Sequence, residues 1–154
     1  MIIVYAPADG EEQHFDAGPG KLRASEIQII ERTADGRWPD IKEGMREGDI
    51  NALRTVAYVL KRRAEPTLRF AQFDPFEGEL RARLDRQETQ AFAEYLFDKY
   101  EGTDDLGDAF EELRDASFDR EWAEAAIADV TAPKGQAPAD PETEKETDAS
   151  LTGS

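Results

Sequence analysis

The chain has 154 residues, with 35 acidic and 19 basic side chains, a formal net charge of −16 and no cysteine. This charge repels nucleic acid and anionic membranes, and the lack of cysteine excludes disulfides and thiolate metal sites. The apolar start MIIVYAP is shorter than a signal peptide or membrane span requires, so we expect neither. A hydrophobic fraction of 39% beside a charged fraction of 35% indicates that part of the chain lies outside a core.

The acidic charge is unevenly distributed and divides the chain into three predicted parts. Residues 1–100 have a net charge of −4 and are predicted to form a hairpin plus helical core domain. Residues 101–131 carry 2 basic and 11 acidic side chains and are predicted to form an acidic helical extension. Residues 132–154 are rich in Pro, Glu, Thr and Ala, which predicts a disordered acidic tail.

The first elements are predicted to be strands. The β-branched and aromatic stretch IIVYA, a turn at Asp9-Gly10 and the stretch QHFDAG predict a β-hairpin over about residues 2–17. The sequence GPGK then breaks the chain before the helices.

Two short helices are predicted next. Ser25 is a candidate N-cap for the first, which should end before Asp35-Gly36, and Pro39 suits the first position of the second. Gly48 is predicted to close that second helix.

The stretch EGDINALRTVAYVLKRRAEP, residues 47–66, predicts the central core helix. Asp49 is the expected N-cap and Pro66 marks the end. The apolar residues between them recur at helical spacing, at Ile50, Leu53, Val56, Ala57 and Leu60. Three consecutive cations in the last turn complement the helix dipole.

The rest of the chain reads as one irregular segment and three helices. TLRFAQFDPFEGEL is predicted to be irregular or briefly extended. A helix over about Arg86–Tyr100 should follow, with Phe92, Tyr95, Leu96 and Tyr100 on one side. DLGDAFEELRDASF and DREWAEAAIADV predict two further helices. The predicted fold is therefore α+β, with an N-terminal β-hairpin packed on a small, mainly α-helical bundle.

The sequence offers little catalytic chemistry. His14 is the single histidine, and only Asp16 is expected near it on the same strand face. Acidic clusters such as Asp104-Asp105 lack the spacing of a calcium loop, and the glycines of DAGPGK do not form a phosphate loop. We therefore predict no enzyme, catalytic residue, cofactor or metal. The alternative within enzymes is a small hydrolase or metal-dependent enzyme that uses His14 with the acidic clusters.

Two features suggest partner binding. Lys61, Arg62 and Arg63 either form a small nucleic-acid patch, which the surrounding acidic charge opposes, or pair with the protein's own acidic tail or with an acidic partner. The phenylalanines after Pro66 either fold back as core or present an apolar patch to a partner helix. Our predicted partner-binding residues are Leu68, Phe70, Phe73 and Phe76, with Lys61, Arg62 and Arg63 at the edge.

Several short motifs recur in a fixed order over about residues 1–75. They are Glu26, Ile30-Glu31, Thr33, Trp38, Glu47-Gly48-Asp49, Ala52-Leu53, Arg62-Arg63, Pro66 and Phe70. With these motifs the chain resembles the tail assembly chaperones of siphophages and prophages of actinobacteria. The Ala34-Asp35 insertion before Gly36 departs from the commonest pattern of that family.

The resemblance implies a phage tail assembly chaperone that binds and solubilises the tape-measure protein and promotes tail-tube assembly. It also implies action in the host cytoplasm, absence from the mature virion and contact with the tail-tube protein. Self-association is left open, and neither nucleic acid nor a membrane is an expected partner. The alternative is an acidic adaptor or DNA mimic that binds a basic partner, with binding that collapses at high salt.

Overall fold

The computed structural model describes residues 1–135 and confirms an α+β fold. Most of the predicted tail, residues 136–154, lies outside the described residues. The strands are β1 (Ile2–Tyr5), β2 (Gln13–Asp16) and β3 (Leu80–Arg83). The helices are α1 (Ala24–Ala34), α2 (Trp38–Glu47), α3 (Ile50–Lys61), α4 (Arg86–Tyr100), α5 (Leu106–Ala116) and α6 (Arg120–Thr131).

The N-terminal hairpin is confirmed and forms two strands of a three-stranded antiparallel sheet. β1 and β2 pair from Ile2 opposite Asp16 to Tyr5 opposite Gln13. β3, which the sequence analysis missed, pairs with the other edge of β1 and gives the order β2-β1-β3. The central strand, β1, is therefore the first strand in the chain. Its second neighbour, β3, follows it by more than 60 residues.

One face of the sheet packs against α3. Ile3, Phe15 and Ala82 are paired across the three strands and belong to the first hydrophobic cluster. Leu80 is also buried in this cluster. In β3 the residues that face the helix alternate with those of the other face, and there are only two of them, Leu80 and Ala82, both apolar. Two positions are too few for the strand to be recognised in the sequence.

The predicted core helix, α3, is confirmed, and it is buried over most of its circumference. Eight of its twelve residues are buried, including Thr55 and Tyr58, which lie outside the predicted apolar stripe. Asp49 caps the helix as predicted, because its carboxylate accepts hydrogen bonds from the backbone N–H groups of Asn51 (2.7 Å) and Ala52 (3.3 Å). α1, α2 and the sheet surround this helix.

The start of α1 differs from the prediction. The N-cap is Arg23 rather than Ser25, and the carboxylate of Glu26 accepts a hydrogen bond of 2.8 Å from the Arg23 backbone N–H. Ser25 therefore lies within the first turn of the helix. The predicted end is confirmed, since Asp35 takes the left-handed conformation with φ 50°.

α2 begins at Trp38, which makes Pro39 its second residue rather than its first. The Trp38 backbone N–H donates a 2.8 Å hydrogen bond to the carboxylate of Glu31, so α1 fixes the start of α2. Gly48 closes the helix with φ 82°, as predicted.

α4, α5 and α6 build a second hydrophobic cluster. Its members are Ala93, Leu96, Ala109, Phe110, Leu113, Ala123, Ala126 and Val130. The bounds predicted for α4 are confirmed, but Tyr95 points to solvent while Leu96 is buried. The domain boundary at residue 100 stays a prediction, although hydrophobic packing places α4 with α5 and α6 rather than with the first cluster.

The two clusters meet where β3 leads into α4. The Leu84 backbone N–H donates to the Ala116 carbonyl (2.9 Å), and the Phe118 N–H donates to the Leu84 carbonyl (3.0 Å). Beside them, the buried hydroxyl of Thr89 donates to that of Ser117 at 3.1 Å. None of the helices in residues 1–135 combines the length and apolar composition needed to cross a membrane.

Replacing Asp49 with alanine should lower the free energy of unfolding by about 1 kcal/mol, because two N–H groups of the central helix lose their acceptor. The matched control is Asp105→Ala at the start of α5, where the side chain makes no cap hydrogen bond. Asp105→Ala should change the free energy of unfolding by less than about 0.5 kcal/mol. Urea denaturation compares the two variants, and equal losses would contradict the assigned cap.

Candidate interaction surface

The segment after Pro66 is irregular but ordered, and Arg54 of α3 holds it in place. The guanidinium donates to the carbonyls of Phe73 (Nε, 2.7 Å) and Phe70 (Nη2, 3.1 Å). It also lies 4.0 Å from the centre of the Phe70 ring. One side chain thus satisfies two loop carbonyls and covers an aromatic face. This role of Arg54 cannot be predicted from the sequence, because an arginine on the polar side of a helix carries no local sign of a loop partner.

Phe73 is a core residue, which corrects its assignment to an exposed partner-binding surface. Only 3% of it is exposed, and its ring meets that of Tyr5 edge to face at 5.2 Å. An irregular backbone can bury this side chain because Arg54 satisfies the Phe73 carbonyl. Burial is also the largest cause that raises the pKa of Tyr5, followed by the negative charge of Glu79.

Leu68 and Phe70 are half-buried against the first cluster. Phe70 packs edge to face on Tyr58 at 5.3 Å, and the Tyr58 hydroxyl donates to the Leu68 carbonyl at 3.3 Å. Both residues therefore support the fold and leave only part of their surface for a partner.

Phe76 is the residue of the predicted set that faces water. It is 79% exposed, and Tyr95 is the other large hydrophobic residue exposed in the described part of the chain. The Phe76 backbone N–H donates to the Glu79 carboxylate at 2.9 Å, and the Glu79 carbonyl accepts from Ala6 at 2.8 Å. The backbone that carries the exposed ring is thus hydrogen-bonded, through Glu79, to the residue that follows β1.

The three cations predicted at the edge of this surface are engaged within the protein. Lys61 contacts the side chains of Gln13 (2.7 Å) and Glu65 (3.0 Å). Arg62 donates to the Pro66 carbonyl at 3.0 Å, and its buried Nε has no hydrogen-bond partner within residues 1–135.

Arg63 makes the strongest of these contacts. Its Nε and Nη2 donate to the two carboxylate oxygens of Glu26, both at 2.7 Å, and Nη2 also reaches the Lys21 carbonyl at 2.7 Å. This bidentate pair joins the end of α3 to the start of α1. Within residues 1–135 the triplet pairs with Glu65 and Glu26, while most of the acidic tail that was expected to pair with it lies outside the described residues.

The pair shifts the protonation of Glu26. The hydrogen bond from Arg63 is the largest cause and lowers the pKa of Glu26. Burial raises this pKa, while the Arg23 backbone hydrogen bond and the charges of Arg63 and Arg23 lower it further, so the net shift is downward. The carboxylate is therefore held in its charged form.

The charge next to Phe76 is negative rather than positive. Asp74 and Glu77 flank it in the sequence and are exposed, and Asp74 lies 3.8 Å from Arg54. A partner that covers the Phe76 ring would therefore meet the carboxylates of Asp74 and Glu77, and the placement of Lys61, Arg62 and Arg63 at the edge of the surface stays a prediction.

His14 has one carboxylate beside it, that of Glu12 rather than the expected Asp16. Its Nε2 contacts the Glu12 carboxylate at 2.6 Å, and its ring packs edge to face on Phe118 at 4.7 Å. Within residues 1–135, no three histidine or carboxylate side chains converge as metal ligands would.

The chain matches no protein-family model, no curated protein and no solved structure.

Truncation of Phe73 and of Phe76 to alanine should have very different effects on the free energy of unfolding. Phe73→Ala should cost about 3–5 kcal/mol of unfolding free energy, because it leaves a cavity beneath the loop. Phe76→Ala should change stability by less than about 0.5 kcal/mol, because the ring is in water. Chemical denaturation of the isolated protein measures both. Similar losses for the two variants would show that the loop packs differently from this structure.

The Glu26–Arg63 pair should make stability depend on pH. Because the folded pKa of Glu26 is lowered, its carboxylate stabilises the fold at neutral pH, and this contribution is lost as the pH falls through that pKa. Glu26→Gln should therefore be less stable than the wild type at neutral pH, with a gap that narrows on acidification. Urea unfolding across a pH series measures the gap, with the exposed Glu112→Gln as control. A gap independent of pH would contradict the assignment.

Proposed function

We propose that this protein is a tail assembly chaperone that binds the tape-measure protein of a phage and keeps it soluble while the tail tube assembles. The observation that carries the proposal is Phe76, a large apolar ring 79% exposed on an ordered segment. The resemblance of residues 1–75 to such chaperones gives the proposal its partner. The role is non-enzymatic and belongs to the host cytoplasm before the virion is complete.

The physical basis is burial of the Phe76 ring against an apolar stripe of a helical partner. Full burial of one such side chain supplies roughly 1.5–3 kcal/mol. Because Arg54 and Glu79 already order the loop, little conformational entropy is lost on binding. The half-buried Leu68 and Phe70 contribute their remaining exposed surface.

The charge of the protein supports the solubilising part of the role. The segment 101–131 has 11 acidic and 2 basic side chains, and most of its carboxylates are exposed on α5 and α6. A complex that displays this surface is kept apart from other complexes by like charge. The carboxylates of Asp74 and Glu77 favour a partner helix with basic residues beside its apolar stripe.

The same acidic surface favours a second candidate, an acidic adaptor or DNA mimic for a basic partner. Arg114 bonds both Glu111 (2.7 Å) and Glu124 (2.7 Å), which neutralises only part of the charge on α5 and α6. Binding through carboxylates alone would be lost at high salt, where charges are screened within about 3 Å at 1 M. Binding through Phe76 would persist, because apolar contacts are not screened.

The test is co-expression with a fragment of the tape-measure protein encoded in the same phage or prophage genome. The fragment should stay soluble with the wild-type chain, and Phe76→Ala should weaken binding by roughly tenfold. Tyr95→Ala is the matched control, since Tyr95 is an exposed aromatic residue on a different surface. Unchanged binding by Phe76→Ala would exclude this surface. A wild-type chain that neither binds nor solubilises the fragment would exclude the proposed function.

A further inference from the structure

A cleft opens at the start of β1, at the opposite end of that strand from the Phe76 surface. It lies between the loop Gly18–Gly20 and the helices α1 and α2, with a volume of about 170 Å³. Its apolar lining comes from Met1, Ala17, Leu22, Ile27, Trp38 and Met45. A volume of this order is room for one large aliphatic side chain.

The walls of the cleft are built by the fold. Gly18 donates its N–H to the Asp16 carboxylate at 2.9 Å, and a Cβ on Gly18 would lie 3.1 Å from the Asp85 carboxylate. Gly20 has φ +74°, a conformation that favours glycine. On the opposite side, Met45 is 1% exposed and belongs to the first hydrophobic cluster. The cleft is thus a fixed concavity.

Two cations line the cleft one helical turn apart on α2. The Lys42 ammonium lies 5.9 Å from the centre of the Trp38 ring and forms no ion pair with any residue in 1–135. Within the described part of the chain, Arg46 pairs only with the exposed Glu43, at 3.0 Å.

The one carboxylate in the lining, Glu88, is already committed. It contacts the Met1 amine at 2.7 Å and accepts from the Asp85 backbone N–H at 3.0 Å. The Met1 amine is also paired with Asp85, so two carboxylates share it, and Lys42 is the cation of the lining that has no counter-charge in residues 1–135.

We propose that this cleft binds an acidic segment of a partner polypeptide. One aliphatic side chain of the segment fills the apolar floor, and carboxylates one turn away pair with Lys42 and Arg46. The cations that this proposal offers to an acidic partner are thus on α2, and they differ from the predicted triplet Lys61, Arg62 and Arg63. The inference goes beyond the proposed function, since it concerns another surface and holds for any polypeptide that carries such a segment.

The same geometry rejects other segments. A basic segment would bring like charges next to Lys42, and a segment without an aliphatic side chain would leave the floor of the cleft wet. Selectivity therefore requires both properties in one segment, an aliphatic residue and carboxylates four positions from it on a helix.

The sequence contains two tryptophans, so Trp122→Phe leaves Trp38 as a fluorescent reporter inside the cleft. The probe is a blocked helical peptide with one leucine and glutamates four positions to either side. We expect a saturable change in Trp38 emission. Replacing the leucine with alanine should weaken binding roughly tenfold, and replacing the glutamates with lysines should abolish it. No saturable change, or equal binding of the lysine peptide, would overturn the proposal.

Lys42→Gln should weaken binding of the glutamate peptide about fivefold, the upper range for a partly exposed ion pair. Lys99→Gln is the matched control, because Lys99 also lies over aromatic rings, 5.6 Å from Tyr95 and 5.0 Å from Tyr100, but away from the cleft. Circular dichroism checks that both variants are folded, and Arg46→Gln repeats the test at the second cation. Equal affinities of Lys42→Gln, Arg46→Gln and the control would overturn the proposal.

Two further results would assign the cleft to a different occupant and so overturn the partner proposal. The first is Trp38 emission that changes with protein concentration alone, which would indicate a second copy of the chain. The second is peptide binding that appears only after the five acidic residues of 136–154 are replaced by amides, which would indicate this chain's own C-terminal segment. Those residues are Asp140, Glu142, Glu144, Glu146 and Asp148.

Discussion

The burial of α3 on nearly every side is the constraint on which the rest of the structure depends. A helix in this position needs apolar neighbours around its circumference, and α1, α2 and the sheet supply them. Its polar side chains are then used to fasten those neighbours. Asp49 caps its start, and Arg54 binds the carbonyls of Phe70 and Phe73. Arg63, two residues after its end, pairs with Glu26 of α1. The polar groups of this helix therefore serve the fold.

Because these charged side chains bind within the protein, fewer charged surfaces remain for partners. Lys61 and Arg63 are occupied by Glu65 and Glu26, so they leave little positive potential at the end of α3. The exposed ring of Phe76 is flanked by carboxylates, while the available cation, Lys42, lies beside an apolar cleft at the other end of β1. The molecule thus presents two apolar features with different charged neighbours, the carboxylates of Asp74 and Glu77 at Phe76 and the ammonium of Lys42 at the cleft.

Local patterns predicted the elements whose causes are local. The hairpin at Asp9-Gly10, the Asp49 cap and the span of α4 each depend on residues within one or two turns of each other. The third strand and the burial of Phe73 depend on partners more than 60 residues away in β1, which no local pattern reveals. The candidate surface was therefore only partly predictable: its aromatic residues were visible in the sequence, but their exposure and the pairing of its cations were decided by tertiary contacts.

The backbone of Leu84 has a consequence for the order in which the protein is completed. Its N–H and carbonyl bond to Ala116 and Phe118, which a ribosome adds more than 30 residues later. Chains generally fold from the N-terminus during synthesis, so the first cluster can assemble while these two groups are still hydrated. The nascent chain then carries a strand with an unfinished end until α5 emerges. Residues 116–118 therefore form the last hydrogen bonds at the end of β3, and these bonds form only when α5, part of the second cluster, has been synthesised.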